Sequence, residues 1–166
     1  TVGKQTKVCY TYPKSAGWLW SALWKGKKRS VAAGTKQSQK ITRRSEKMKN
    51  RRVFLKLSGE ALAGPKKTGF DEDTVKEVAR QVKASVDAGV QVGVVIGGGN
   101  FWRGRTSDAI DRPKADQIGM LATVMNCIYV SEIFRNAGMK TQILTPFECG
   151  NMTKLFSKDR ANKYFE

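Results

Sequence analysis

The sequence predicts a three-layer α/β protein with a mostly parallel sheet. Short runs rich in β-branched residues, such as the one beginning at Gln91, alternate along the chain with longer segments of helical periodicity. Capping signals bound the clearest helix, with Asp71 before it and Gly89 after it. Strands that alternate with helices need crossover connections, and these place the strands parallel with helices against the sheet.

The predicted elements follow one another without an internal repeat. The first strand alternates Val53, Leu55 and Leu57 with other residues and stops at Gly59. Residues 64–69, rich in glycine and lysine, predict a flexible loop. The elements expected in order are a strand over 51–58, a helix over 71–89, a buried strand from 91, a long apolar helix over 115–137 that a break near Gly119 can interrupt, a strand over 139–144 and a short amphipathic helix over 157–165.

Charge divides the chain into two segments. The net charge is +17, and residues 1–47 hold 12 of the 31 Lys and Arg residues but one of the 14 acidic residues, which is +11 of that total. This segment shows no period, so we expect it to lack packed structure. Met48 followed by Lys-Asn-Arg-Arg resembles a bacterial protein start, so residues 1–47 are interpreted as a non-native leader. The alternative is a nucleic-acid-binding tail, since tryptophans lie among its basic residues.

Several classes of site are excluded or disfavoured by composition. The sequence has no histidine, so histidine-based catalysis and histidine-ligated metal sites are excluded. Cys9, Cys127 and Cys149 are widely spaced, which argues against a disulfide framework or a zinc site and agrees with a reducing cytoplasm. No apolar run approaching a membrane span is evident in the sequence.

A glycine turn followed by arginines is the strongest functional signal. Gly97, Gly98 and Gly99 follow the buried strand, and three residues without Cβ atoms let backbone N–H groups surround an anion. Arg103 and Arg105 come next, and a guanidinium holds phosphate through a planar fork of donors. A plain tight turn is the alternative. The spacing from Gly99 to Thr106 is not a P-loop, because Arg105 stands where lysine is required.

The first strand also ends in a glycine turn, at Ser58 and Gly59, with Lys56 just before it. In a parallel sheet both turns lie at the same edge, so the sequence predicts a double phosphate cradle. For Lys56 alone, a solvated surface charge is the simpler interpretation.

Three segments together resemble the bacterial UMP kinase (uridylate kinase) branch of the amino-acid-kinase superfamily. They are Lys56-Leu-Ser-Gly-Glu-Ala-Leu62, Val94-Val-Ile-Gly-Gly-Gly-Asn-Phe-Trp-Arg-Gly104 and Asp116-Gln-Ile-Gly-Met-Leu-Ala-Thr-Val-Met-Asn126. The resemblance covers residues 48–166. It implies the amino-acid-kinase fold and transfer of the ATP γ-phosphoryl group to UMP, with Mg²⁺ carried by the nucleotide and no metal held by the protein.

The resemblance also implies roles for individual residues. Lys56 and Arg103 would be catalytic, and UMP would be bound by Gly98 through its phosphate and by Asp116 through its ribose. The residues implied to contact ATP are Lys56, Leu57, Ser58, Gly59, Gly99 and Arg103. Such chemistry relies on positioning and electrostatic stabilisation rather than on a protein nucleophile.

Further expectations come from the same resemblance. The adenine-binding half of the family lies beyond residue 166, so we expect this chain to be a fragment with little or no turnover. The family implies a cytoplasmic homo-oligomer, a hexamer, with GTP activation and UTP inhibition and without membrane contact. Two alternatives stay open: a related phosphotransferase acting on a carboxylate or carbamate, and nucleic-acid binding through residues 1–47.

Overall fold

The computed structural model describes residues 9–11, 52–103 and 109–166. Five strands form one sheet with the spatial order β2-β3-β1-β4-β5, and every pair is parallel. The strands are β1 Cys9–Thr11, β2 Arg52–Leu57, β3 Gln91–Ile96, β4 Ile143–Thr145 and β5 Lys154–Leu155. The helices are α1 Gly59–Ala63, α2 Glu72–Asp87, α3 Arg112–Asn136 and α4 Lys158–Lys163, with a 3₁₀ turn at Gly64–Lys66.

The predicted parallel α/β fold is confirmed, and most predicted elements lie close to their expected positions. The α2 helix starts after Asp71, whose carboxylate accepts a 2.9 Å hydrogen bond from the Thr74 N–H, and Gly89 follows its end with φ +86°. The α3 helix runs without interruption through Gly119 and begins three residues earlier than expected. The third predicted strand is shorter, since only Ile143–Thr145 pairs with neighbours.

The β1 strand differs from the expectation for residues 1–47. Cys9–Thr11 pairs in parallel with both β3 and β4, which places it in the middle of the sheet. Tyr and Thr favour extended backbone, but strand pairing depends on backbone groups, and a three-residue run is too short to show the alternation that predicts a strand. The prediction that this segment lacks structure is therefore wrong at these three residues. Its remainder lies outside the described residues, and its proposed origin as a leader stays a prediction.

The core lies between one face of the sheet and the helices α2 and α3. Alternate residues of β3, Val92, Val94 and Ile96, point to this side and are almost fully buried. The opposite face of β3 contacts the C-terminal segment, where a Cβ on Gly93 would lie 3.4 Å from Phe165. On that face Ala161 of α4 and Phe165 pack with Leu144 of β4, so the sheet lies between this C-terminal layer and the layer of α2 and α3.

The α3 helix is 25 residues long and, by length and composition alone, is apolar enough to cross a membrane. The sequence expectation that no apolar segment has this length is therefore wrong for α3. Nine of its residues are buried, among them Cys127, Val130 and Phe134 of the main core. An apolar helix that packs on a sheet in this way is the core helix of an α/β domain.

Candidate active site

Two glycine turns lie side by side at the carboxyl edge of the sheet, as the sequence predicts. Leu57 and Ile96 are register partners at the ends of β2 and β3. The next residue, Gly97, donates its N–H to the Leu57 carbonyl at 3.0 Å. This hydrogen bond continues the pairing past the strand ends and brings Ser58 and Gly59 against the turn that follows β3.

The contact between the turns depends on the absence of side chains. A Cβ on Gly59 would lie 2.4 Å from Asn100 Oδ1, 2.7 Å from Gly99 N and 2.8 Å from Gly97 O. These distances are shorter than van der Waals contact, and two of the three atoms are backbone. Glycine at position 59 is therefore required for the two turns to form one surface, which we call the cradle (Ser58–Gly59 and Gly97–Asn100).

The second turn also packs tightly on the α3 helix. A Cβ on Gly98 would lie 2.9 Å from both Ala122 Cβ and the Gly119 carbonyl oxygen. The Gly98 carbonyl accepts 3.1 Å hydrogen bonds from the N–H groups of Phe101 and Trp102. Position 98 is therefore fixed between its own turn and the helix.

The residues at the end of β2 have different environments. Lys56 is exposed and Leu57 packs against the core, so the side chain of Leu57 is structural and its backbone lies at the cradle. Ser58 is the N-cap of α1, and its Oγ accepts a 3.1 Å hydrogen bond from Ala61 N–H. The sequence prediction of ATP contacts from residues 56–59 stays a prediction, with Gly59 lying deepest in the cradle.

Arg103 lies beside the cradle and forms an ion pair that its sequence position does not predict. Its Nη2 lies 2.7 Å from Glu60 Oε1, and both side chains are 58% exposed. Glu60 also lies near the second turn, since a Cβ on Gly99 would be 3.5 Å from its Oε1. The pair spans the two turns and holds one guanidinium next to them. Arg105, the other arginine of the sequence signal, lies outside the described residues.

Asp116 lies on the first turns of α3, exposed to solvent. Arg112 Nε is 3.3 Å from its Oδ1, an i,i+4 ion pair on the helix surface. Asp116 precedes Gly119 by three residues, so the two share a helix face, and the Gly119 carbonyl contacts position 98. Asp116 is thus about one helical turn from Gly119, the helix residue that packs on the cradle.

A pair of buried amides, one of which belongs to the cradle, was not recognised from the sequence. Asn100 is 2% exposed and Asn126 is 0% exposed, and their side chains hydrogen bond to each other. Both residues occur in the quoted motifs, but no spacing rule pairs a turn residue with one 26 positions later. The pair is recognisable only in the folded structure, where two polar side chains are buried together and hydrogen bonded.

The site region also contains a buried indole nitrogen. Trp102 Nε1 is buried and has no hydrogen-bond partner within the described residues, next to the undescribed segment 104–108.

Residues 52–103 and 109–166 contain no group of three or more Cys, Asp or Glu side chains placed to hold a metal ion. Cys127 is buried in the core, and both it and Cys149 are present as thiols.

The fold and this edge together define a parallel three-layer α/β protein with a two-turn glycine cradle, distinct from P-loop proteins. Residues 51–166 match the amino acid kinase family, and the chain belongs to that family.

Two solved structures are similar to this chain. The UMP kinase from Bacillus anthracis is 30% identical to this chain and superposes with a TM-score of 0.66. The match covers 69% of this chain and 48% of the Bacillus anthracis chain. The UMP kinase from Ureaplasma parvum is 27% identical to this chain and superposes with a TM-score of 0.64. The match covers 70% of this chain and 51% of the Ureaplasma parvum chain. The chain therefore spans about half the length of each.

Proposed function

We propose that this chain is the acceptor-binding part of a phosphotransferase that moves the γ-phosphoryl group of ATP to UMP. The observation that carries the proposal is the cradle, with Arg103 held at its rim. Family membership supports phosphoryl transfer, and the likeness to two UMP kinases supports UMP as the acceptor. In this reaction a UMP phosphate oxygen bonds to the γ-phosphorus, the bond to the β-phosphate oxygen breaks, and ADP leaves.

The roles proposed for individual residues are those that the resemblance implies, and the closeness of Gly59, Gly98, Gly99 and Arg103 at the cradle supports them. Gly98 offers its N–H to the UMP phosphate, and Gly59 and Gly99 offer backbone groups to the ATP phosphates. Arg103 and Lys56 supply positive charge where charge redistributes in the transition state. Asp116 accepts hydrogen bonds from the UMP ribose, one helical turn from Gly119.

Mg²⁺ is proposed to arrive with ATP, as the resemblance to UMP kinases implies. Glu60 is the carboxylate at the cradle, and it is paired with Arg103. The metal therefore acts in the proposal as part of the substrate, neutralising phosphate charge.

A homo-oligomer is proposed from an exposed apolar stripe on α3. Ile118, Leu121, Met125 and Ile128 recur at helical spacing and are 37%, 57%, 47% and 38% exposed. Exposed apolar residues that share one face of a helix form a continuous patch, and such patches mark interaction sites when they are large. The hexameric state, GTP activation, UTP inhibition and a cytoplasmic location stay proposals that accompany the UMP kinase assignment.

The acceptor is tested by binding and by turnover. Calorimetric titration of the 166-residue chain with UMP should show binding, and Asp116→Ala should weaken it, whereas Asp159→Ala, an exposed carboxylate on α4, should not. UMP-dependent ADP release with ATP and Mg²⁺ reports turnover. Binding of aspartate or N-acetylglutamate in place of UMP would assign the chain to a carboxylate-phosphorylating relative. RNA binding that disappears when residues 1–47 are removed would support the nucleic-acid alternative.

A further inference from the structure

The buried pair Asn100–Asn126 joins three parts of the structure. Asn126 Nδ2 donates to the Gly97 carbonyl at 2.6 Å and to Asn100 Oδ1 at 2.7 Å. Asn100 Nδ2 donates to the Gly69 carbonyl at 2.7 Å and to Asn126 Oδ1 at 3.1 Å. The pair thus ties the glycine turn to α3 and to the loop before α2.

Every donor of the two amides is used in this arrangement. A side-chain amide has two N–H donors, and both amides place one on the partner and one on a backbone carbonyl. Exchanging the oxygen and nitrogen of Asn126 would place its oxygen against the Gly97 carbonyl oxygen, so the hydrogen bonds fix its orientation. A fully satisfied buried polar network of this kind specifies one local geometry.

The hydrogen bond to Gly97 sets the direction of the next N–H group. In a trans peptide the C=O and the following N–H point in opposite directions, and the described residues contain no cis peptide. Because the Gly97 carbonyl points inward to Asn126, the Gly98 N–H points away from the buried amide pair. Within the described part of the chain, the Gly98 N–H donates a hydrogen bond to no acceptor.

The peptide planes on either side are held by hydrogen bonds at the Gly97 N–H and at the Gly98 carbonyl, whereas the plane between Gly97 and Gly98 is held by the hydrogen bond from Asn126. That plane joins two glycines, and glycine reaches φ and ψ values closed to other residues, so a flip of the plane meets little steric resistance. A flipped plane would present a carbonyl oxygen where the N–H now stands, and a carbonyl oxygen repels a phosphate.

We propose that Asn126 is a positioning residue that keeps the Gly98 N–H directed at the bound phosphate by holding the Gly97 carbonyl. The inference rests on the proposed function for the identity of the ligand. Asn100 supports it by accepting from Asn126 and by sharing its burial.

The test uses Asn126→Asp in the full 166-residue chain. An ionised aspartate has the same shape but no donor, so it repels the Gly97 carbonyl and releases the peptide. We expect UMP affinity to fall by about 10- to 100-fold, the effect of losing a hydrogen bond to a charged group. Asn136→Asp makes the same chemical change at an exposed position of the same helix and should leave the affinity unchanged.

A pH profile separates positioning from general damage. Burial beside two acceptors raises the pKa of an introduced carboxyl group, and its protonated form regains one donor for the Gly97 carbonyl. The affinity of Asn126→Asp relative to wild type should therefore recover as pH falls through that pKa, while the ratio for Asn136→Asp stays flat. A ratio for Asn126→Asp that is constant with pH would overturn the proposal.

A second measurement does not depend on UMP. Residual dipolar couplings of the Gly98 N–H in the ligand-free protein report its direction, which should change in Asn126→Asp and in the uncharged variant Asn126→Ser. An unchanged direction in both variants overturns the positioning role. If wild-type protein fails to bind UMP while the direction changes in the variants, the proposed function fails and the positioning inference stands. Should both variants unfold, a wild-type coupling across the hydrogen bond from Asn126 Nδ2 to the Gly97 carbonyl supports the proposal, and its absence overturns it.

Discussion

Gly59 and Asn100 approach so closely that a Cβ on Gly59 would lie 2.4 Å from Asn100 Oδ1. This contact joins the turn after β2 to the turn after β3 and rests on the buried Asn100–Asn126 pair. The two turns of the cradle and the buried amide pair therefore form one unit. A substitution at Gly59 should therefore perturb both the turns and the amide pair.

Gly59→Ala should destabilise the protein by about 1–3 kcal/mol, the usual cost of forcing extra atoms into a packed site. Two of the atoms in the way belong to the backbone of Gly97 and Gly99, and a side-chain rotation cannot move them. Chemical denaturation gives the free energy of unfolding for variant and wild type.

Gly99→Ala is the matched control for that experiment. The nearest atom to its Cβ would be Glu60 Oε1 at 3.5 Å, an ordinary contact. Its stability should stay within about 0.5 kcal/mol of wild type, as for most surface changes. The comparison uses the free energy of unfolding only, because Gly99 lines the cradle and its substitution can also lower the affinity for nucleotides. Equal destabilisation by both substitutions would show that the contact at Gly59 is not the tight one.

The sequence was sufficient to place the cradle because its signals are local. Gly97–Gly99 follow a β-branched run, Gly59 ends an alternating run, and parallel pairing then brings both to one edge. The caps of α2 at Asp71 and Gly89 were also predicted from the sequence, because each depends on the chemistry of a single residue.

The features that the sequence did not predict depend on contacts between distant residues. The Asn100–Asn126 pair and the Arg103–Glu60 pair join positions 26 and 43 residues apart, and no periodicity relates them. The β1 strand was missed because three residues carry no measurable alternation. Its position is fixed by backbone pairing with β3 and β4.

Gly93 provides a test of packing on the outer face of the sheet. Phe54 is its register partner on β2, and a Cβ on Gly93 would lie 2.5 Å from Phe54 Cε1. The ring also meets Phe165 edge-on, with centroids 6.2 Å apart. Gly93→Ala should therefore destabilise wild type by about 1–3 kcal/mol and cost clearly less in a Phe54→Ala background. A double-mutant cycle of unfolding free energies measures the coupling, and strict additivity would contradict the proposed clash.

Asp71 makes stability depend on pH. Its pKa is held below the ordinary value of 3.8, first by the Thr74 backbone N–H and then by the Thr74 side chain, with Lys66 adding a smaller attraction. Because the pKa is lower in the folded state than in the unfolded state, the stabilisation is present above about pH 4 and disappears as pH falls through the folded-state value. Asp71→Ala should lower Tm at neutral pH and less so in strong acid. Asp71→Asn keeps a capping oxygen without a charge, so its Tm should fall less at neutral pH, and a Tm difference for Asp71→Ala that does not vary with pH would contradict the capping role.

Glu60→Gln tests whether the ion pair competes with phosphate. Glu60 holds Arg103 at 2.7 Å, and an incoming anion must share or replace that carboxylate. An exposed pair contributes little, so we expect a gain in affinity for inorganic pyrophosphate of about two- to fivefold. Calorimetric titration at low ionic strength measures it, and Glu132→Gln, which removes a partner of Arg135 on α3, is the control. Weaker pyrophosphate binding in Glu60→Gln would mean that Glu60 orients Arg103 rather than competes for it.

Arg103 is the residue on which the proposed chemistry depends most directly. If its guanidinium stabilises phosphoryl oxygens as charge redistributes, Arg103→Ala should lower kcat by about 10²- to 10³-fold, measured as UMP-dependent ADP release. Arg103→Lys should restore part of the rate, because an ammonium keeps the charge but loses the planar fork. Arg80 is the control: it is also an exposed guanidinium paired with a glutamate, Glu77, at 2.6 Å, but it lies on α2. A large loss confined to Arg103, with an unchanged thermal melt, is the expected result. Small and equal effects at Arg103 and Arg80 would show that Arg103 is an ordinary surface charge and would place the phosphoryl-transfer site elsewhere.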